Sequence, residues 1–120
     1  FENNPRLRRQ RSVSQIIARE LAALPQKAQA QDAELFFAGI FRVLQEQIGE
    51  RLELPASSIT EAVVEEHLGP RGVDEATVDL VRELFQACNQ ARYARQRTSE
   101  ELASFIPKIE SAITGLRKIP

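Results

Sequence analysis

Methionine and tryptophan are absent from this 120-residue chain, and cysteine, histidine and tyrosine occur once each. A lone cysteine excludes an internal disulfide, and one cysteine with one histidine is too few for a closed zinc site built on nitrogen and sulfur ligands. Long apolar runs are missing too. The longest, Leu35 to Phe41, has seven residues, well short of the roughly eighteen that a membrane-spanning helix requires, and no signal-peptide pattern opens the chain. Neither charge dominates: 16 Lys and Arg stand against 17 Asp and Glu, for a formal net charge of -1. No global field therefore recommends a polyanionic partner, and any basic site must be local. Without an initiator methionine, the chain is expected to be a piece of a longer protein.

What is present is helical periodicity almost throughout, with no strand alternation, internal repeat or low-complexity tract. From Asp32 to Leu52, Phe36, Phe37, Ile40, Phe41, Val43, Leu44 and Ile48 fall on about half of a helix circumference. Pro55 stops that helix. Ser58-Ile59-Thr60-Glu61 has the form of a capping box, opening a short helix that carries Val63, Val64, His67 and Leu68 and stops at Gly69-Pro70-Arg71-Gly72. Asp74 is placed to cap the next helix, and Thr98-Ser99-Glu100-Glu101 supplies a second capping box before Leu102, Phe105, Ile109 and Ile113. Pro107, opposite that last stripe, is expected to bend its helix rather than break it.

The expected architecture is all-α: a compact bundle of about four helices with an additional N-terminal amphipathic helix. Helices are predicted near residues 12–24, 32–52, 59–68, 75–93 and 99–117. The predicted core is Phe37, Ile40, Leu44, Val81, Leu84, Phe85, Cys88, Leu102, Phe105, Ile109 and Ile113. Residues 1–31 read as a basic segment, an amphipathic helix and a polar connector from Gln26 to Gln31. Residues 32–120 read as the bundle.

The candidates for chemistry are few. His67 shares a face with Val63 and Val64, with no nucleophile elbow, metal motif or phosphate loop around it, and is read as a packed, hydrogen-bonded histidine. Cys88, within an apolar arc, is read as a small hydrophobe with a slow thiol. Glu46, Glu50, Glu53, Glu61, Glu65 and Glu66 lack the Glu-x-x-His pairs of a di-metal bundle and are read as solvated surface. No catalytic, cofactor or metal site is assigned. Arg92-Tyr93-Ala94-Arg95-Gln96-Arg97 closes a helix, where cations favour the negative end of its dipole. Arg92, Tyr93, Arg95 and Arg97 are also candidates for partner binding.

At the other end, no acid intervenes between Arg6 and Arg19. Arg6, Arg8, Arg9 and Arg11 form a basic cluster directly before the apolar positions Val13, Ile16, Ile17, Leu21 and Leu24. These five have the spacing of a helix that docks in a groove. They need a covering surface, on their own bundle, a second copy or another protein, and the helix is expected to act as a movable link. Interleaved aromatics or a basic remainder would favour a nucleic-acid arm, and neither is present. A basic flank just cytoplasmic to a spanning helix fits the positive-inside rule.

The order of features resembles the C-terminal region of the BatD, or Bacteroides aerotolerance, family, from about Arg6 to Leu116. The features are the aromatic helix around Phe36, Phe37 and Phe41, the Leu52-Glu53-Leu54-Pro55 exit, the Arg71-Gly72-Val73 turn, and Ala91-Arg92-Tyr93-Ala94. The resemblance implies a helical domain of a single-pass bacterial membrane protein, on the cytoplasmic face of the inner membrane. On that reading Arg6, Arg8, Arg9 and Arg11 are the membrane-proximal flank of an upstream transmembrane helix. The implied partners are von Willebrand factor A domain proteins and a MoxR-type AAA+ ATPase, with no cofactor and no small-molecule substrate. The expected function is non-enzymatic protein interaction. The alternative is a free-standing nucleic-acid-binding module using the N-terminal arginines with Arg92, Arg95 and Arg97.

Overall fold

Asn4 and Pro5 begin the first helix. In a computed structural model, which describes residues 4–91 and 97–120, the Asn4 side chain accepts from the backbone N–H groups of Arg6 (3.0 Å) and Leu7 (3.4 Å). Pro5 sits in the first turn, where its missing N–H costs nothing. Helix α1 then runs Pro5–Gln29 without interruption. It starts earlier and ends later than its predicted span of 12–24, and Gln26–Gln29 belong to the helix instead of a connector.

The reason lies in what α1 covers. Val13, Ile17, Leu24 and Ala28 are buried, chiefly against α2, Ala33–Leu52, the helix with which α1 makes its most extensive contact. Burying each of the three larger side chains stabilises the packed helix by about 1.5–3 kcal/mol. That offsets the backbone bond lost at Pro25, whose exposed ring flanks the buried stripe. The first helix is therefore part of the bundle core, not an appendage.

Helix α2 is central. Phe36, Phe37, Ile40, Val43, Leu44 and Ile48 are all buried, and its neighbours are α1, α4 (Glu75–Gln90), α6 (Phe105–Leu116) and a 3-10 turn at Ala56–Ser58. Phe37 meets Phe36 and Phe105 edge-to-face, at centroid distances of 5.3 and 5.2 Å, and Phe41 meets Phe85 at 5.7 Å. Every predicted core residue is buried except Cys88, which is partly buried. The fold is an all-α bundle, with no strand among the described residues.

Local signals were realised unevenly. Thr98 forms the full capping box with Glu101, both bonds at 3.0 Å, and Asp74 caps α4 by accepting from Thr77 N–H at 2.8 Å. Ser58 caps nothing. It ends the 3-10 turn, and Thr60 caps α3 (Glu61–His67) through Val63 N–H. The last helical stretch divides into α5, Ser99–Ala103, and α6, with only Ser104 between them. Pro107 has no N–H for the Ala103 carbonyl, so the ladder lapses one turn before it, and the Ser104 hydroxyl donates to the Glu101 carbonyl at 2.6 Å.

Candidate functional site

Four arginines from separate stretches of chain converge on the C-terminal end of α2. Arg9 of α1 donates through Nη2 to the Leu54 carbonyl at 2.6 Å, and Arg71, in the α3–α4 loop, donates to the Arg51 carbonyl at 3.3 Å. Arg117, just past α6, donates through Nε to Gln47 Oε1 at 2.9 Å, and Arg51 Nε lies 3.4 Å from Glu50 Oε1. The last carbonyls of a helix have no intrahelical donors and carry its negative dipole end, so guanidinium groups are favoured here. Gly49 makes room for the arrangement: a Cβ there would lie 2.8 Å from the Leu54 carbonyl oxygen and 2.9 Å from Arg9 Nη2.

Within this cluster Glu50 is only 4% exposed. Gln47 donates to its Oε1 at 3.1 Å, while its Oε2 has no hydrogen-bond partner among the described residues. A buried carboxylate needs compensating positive charge, and Arg51 at its side supplies it. Between the first turns of α1 and the end of α2 lies a cavity of about 180 Å³ lined by Pro5, Arg6, Arg9, Glu50 and Glu53. Sequence reading placed Glu50 on the solvated surface; it is buried instead. Helical periodicity places Glu50 on the side of α2 away from Ile48 and Leu52, and only tertiary packing covers that side.

The predicted site residues divide sharply. Arg6, Arg8 and Arg11 are exposed, whereas Arg9 is half-buried and bonded to another element. Val13, Ile17 and Leu24 are sealed in the core, so they are corrected from partner surface to bundle packing. Leu21 is partly buried against the same core, and Ile16 lies at its margin. Arg92, Tyr93 and Arg95 lie outside the described residues. The Arg97 guanidinium stacks over the Phe37 and Phe105 rings, 5.5 and 5.2 Å from their centroids, and so closes the aromatic core on that side.

His67 is exposed, its Nε2 4.0 Å from Glu66, contrary to the packed histidine that was expected. The buried stripe of α3 follows Val64 toward Leu68 and leaves His67 to solvent. Cys88 has its Sγ 3.5 Å from the Phe37 carbonyl, and burial pushes its thiol up to about 12. A thiol held neutral in this way is a poor nucleophile. Among the described residues, no group of three or more His, Cys, Asp and Glu is placed to hold a metal, and no helix is long and apolar enough to cross a membrane.

No family model, curated protein or solved structure matches the chain.

Proposed function

We propose that the chain is a non-enzymatic protein-interaction domain of a single-pass bacterial membrane protein of BatD type. In this reading it is held at the cytoplasmic face of the inner membrane, with the start of α1 nearest the bilayer. The observation that carries it is the division of α1 along its length. Val13, Ile17 and Leu24 lock the helix to the bundle, while Arg6, Arg8 and Arg11 stand free at its first turns. A chain that entered from a bilayer would pass directly into a rigid, positively charged helix, as the positive-inside bias favours. The partners proposed by resemblance are von Willebrand factor A domain proteins and a MoxR-type AAA+ ATPase.

Affinity capture of the full-length protein from crosslinked, solubilised membranes tests the partner assignment. Both partner classes are expected with the intact protein and lost when residues 5–120 are deleted; equal recovery after deletion refutes it. Protease protection tests the orientation. Replacing Arg6, Arg8 and Arg11 by Gln should reduce the fraction with this end in the cytoplasm, and unaltered orientation removes the flank role.

A further inference from the structure

We propose that the exposed cations at the α1 end of the bundle form one docking face for an anionic phospholipid surface, and that residues distant in sequence complete it. Arg6, Arg8 and Arg11 come from α1, Arg71 from the α3–α4 loop, and Arg117 and Lys118 from the end of α6; all six are exposed. Their proximity follows from the bonds already described. Arg9 reaches Leu54, Arg71 reaches the Arg51 carbonyl, and Arg117 reaches Gln47, so three chain segments are pinned to the last turns of α2. Lys118 is close enough to Asp74 to help hold that carboxyl below its ordinary range, behind the hydrogen bonds from Thr77.

Helix-end stabilisation accounts for Arg9 and Arg51, which are half-buried near backbone carbonyls or Glu50. It accounts in part for Arg71 and Arg117, which bond α2 yet stay exposed, and not for Arg6, Arg8, Arg11 and Lys118; none of these six has a carboxylate at ion-pair distance among the described residues. The flanks of the bundle differ: Lys27 and Arg42 meet Glu20, Arg82 meets Glu65 and Asp79, and Lys108 meets Glu83. Positive charge is thus mostly paired along the sides, with Arg19 of mid-α1 the exception, and gathered unpaired at one end of a body measuring 47 × 29 × 21 Å. Glu53, Asp74 and Glu75 are the exposed acids nearby, and Asp74 is engaged in capping α4.

A lipid surface fits this face better than a nucleic acid. The cations are gathered at a tip, not laid in a stripe that could follow a phosphate backbone. Leu7, 44% exposed between Arg6 and Arg8, offers an apolar side chain where headgroups would meet it. The face belongs to the fold of these residues and needs no upstream anchor, although it deepens the membrane-proximal reading.

The test is sedimentation of the 120-residue protein with vesicles of phosphatidylcholine alone or containing about one-third phosphatidylglycerol. Binding is expected only to the anionic vesicles, and should fall as salt shortens the screening length. Each cation removed should weaken binding roughly fivefold, and the triple R71Q/R117Q/K118Q on the order of a hundredfold. Because Arg117 also bonds Gln47 and Arg71 the Arg51 carbonyl, K118Q and the triple R6Q/R8Q/R11Q, with unchanged melting, provide folding-neutral versions. Leu7→Ser should cost a few-fold. Equal binding to neutral vesicles, undiminished binding by K118Q or by R6Q/R8Q/R11Q, or tighter binding to duplex DNA at matched phosphate and salt overturns the proposal. The orientation assay in cells reads the anchor separately, so failure of either result leaves the other interpretable.

Discussion

Gly115 of α6 lies against Thr77 of α4 so closely that no Cβ fits between them. A methyl group built on Gly115 would stand 2.7 Å from Thr77 Cγ2 and 2.9 Å from its Cβ, with the hydroxyl oxygen nearer still. Both residues are buried, and Thr77 is also the backbone donor to the Asp74 cap. Gly115→Ala should therefore destabilise the fold by about 1–3 kcal/mol through overpacking. Adding Thr77→Ala, which removes two of the three encroaching atoms, should recover part of the loss. Urea unfolding of the four species measures this coupling, and strictly additive effects would contradict the contact.

Arg9 should differ from its neighbours in the basic cluster. Its guanidinium donates to the Leu54 carbonyl in a half-buried setting, so Arg9→Gln should cost about 1–2 kcal/mol. Arg6, Arg8 and Arg11, exposed and without a tertiary bond among the described residues, should each tolerate Gln within about half a kilocalorie per mole. Thermal melts of the four single variants separate the structural arginine from the three free ones.

Three turns share one geometry, with a left-handed residue after a helix and a backbone bond reaching back five residues. Gln31 (φ 55), Glu53 (φ 58) and Gly72 (φ 82) occupy the left-handed position. The bonds run from Asp32 N–H to the Lys27 carbonyl, Leu54 to Gly49, and Val73 to Leu68. Only the third has the residue that adopts this backbone without strain. Gln31→Gly and Glu53→Gly should each raise stability by about 0.5–1 kcal/mol, the relieved strain exceeding the entropy gained by the unfolded chain. Gly72→Ala should lower it by about 1 kcal/mol. Denaturant midpoints of the three variants check both signs.

Cys88 links stability to alkaline pH. Its folded-state thiol is raised by burial to about 12 from an ordinary value of 9.0, so above about 9 the unfolded chain releases a proton that the folded chain keeps. The contribution from the buried neutral thiol is complete below that point. It declines as pH climbs toward the folded value, by at most about 1.4 kcal/mol per pH unit. The stability advantage of the wild type over Cys88→Ala should therefore shrink between pH 9 and about 10.5, and a constant difference would remove the linkage. At neutral pH a thiol reagent should label the native protein slowly and the unfolded protein fast.

The sequence by itself determined the elements whose causes lie within one turn of chain. Asp74 and the Thr98–Glu101 box cap their helices as their spacing requires, and the apolar arcs of α2 and α4 mark the core because a period of 3.6 puts those side chains on one face. A proline inside a helix was harder to read. The helix predicted to end at Leu24 runs through Pro25 to Gln29, because burial of Leu24 and Ala28 outweighs the lost backbone bond. The end of α2 was legible at Leu52, but the arginines gathered on it were not. Whether Glu50 is solvated, which arginine is structural, and why Gly115 carries no side chain depend on partners tens of residues away. Arg9 and Leu54 are 45 residues apart, and Gln47 and Arg117 are 70. Helical periodicity assigns a residue to a face, while only helix packing decides what that face meets. The tertiary structure therefore chose which arginines were consumed in holding the bundle together and which were left free at its tip.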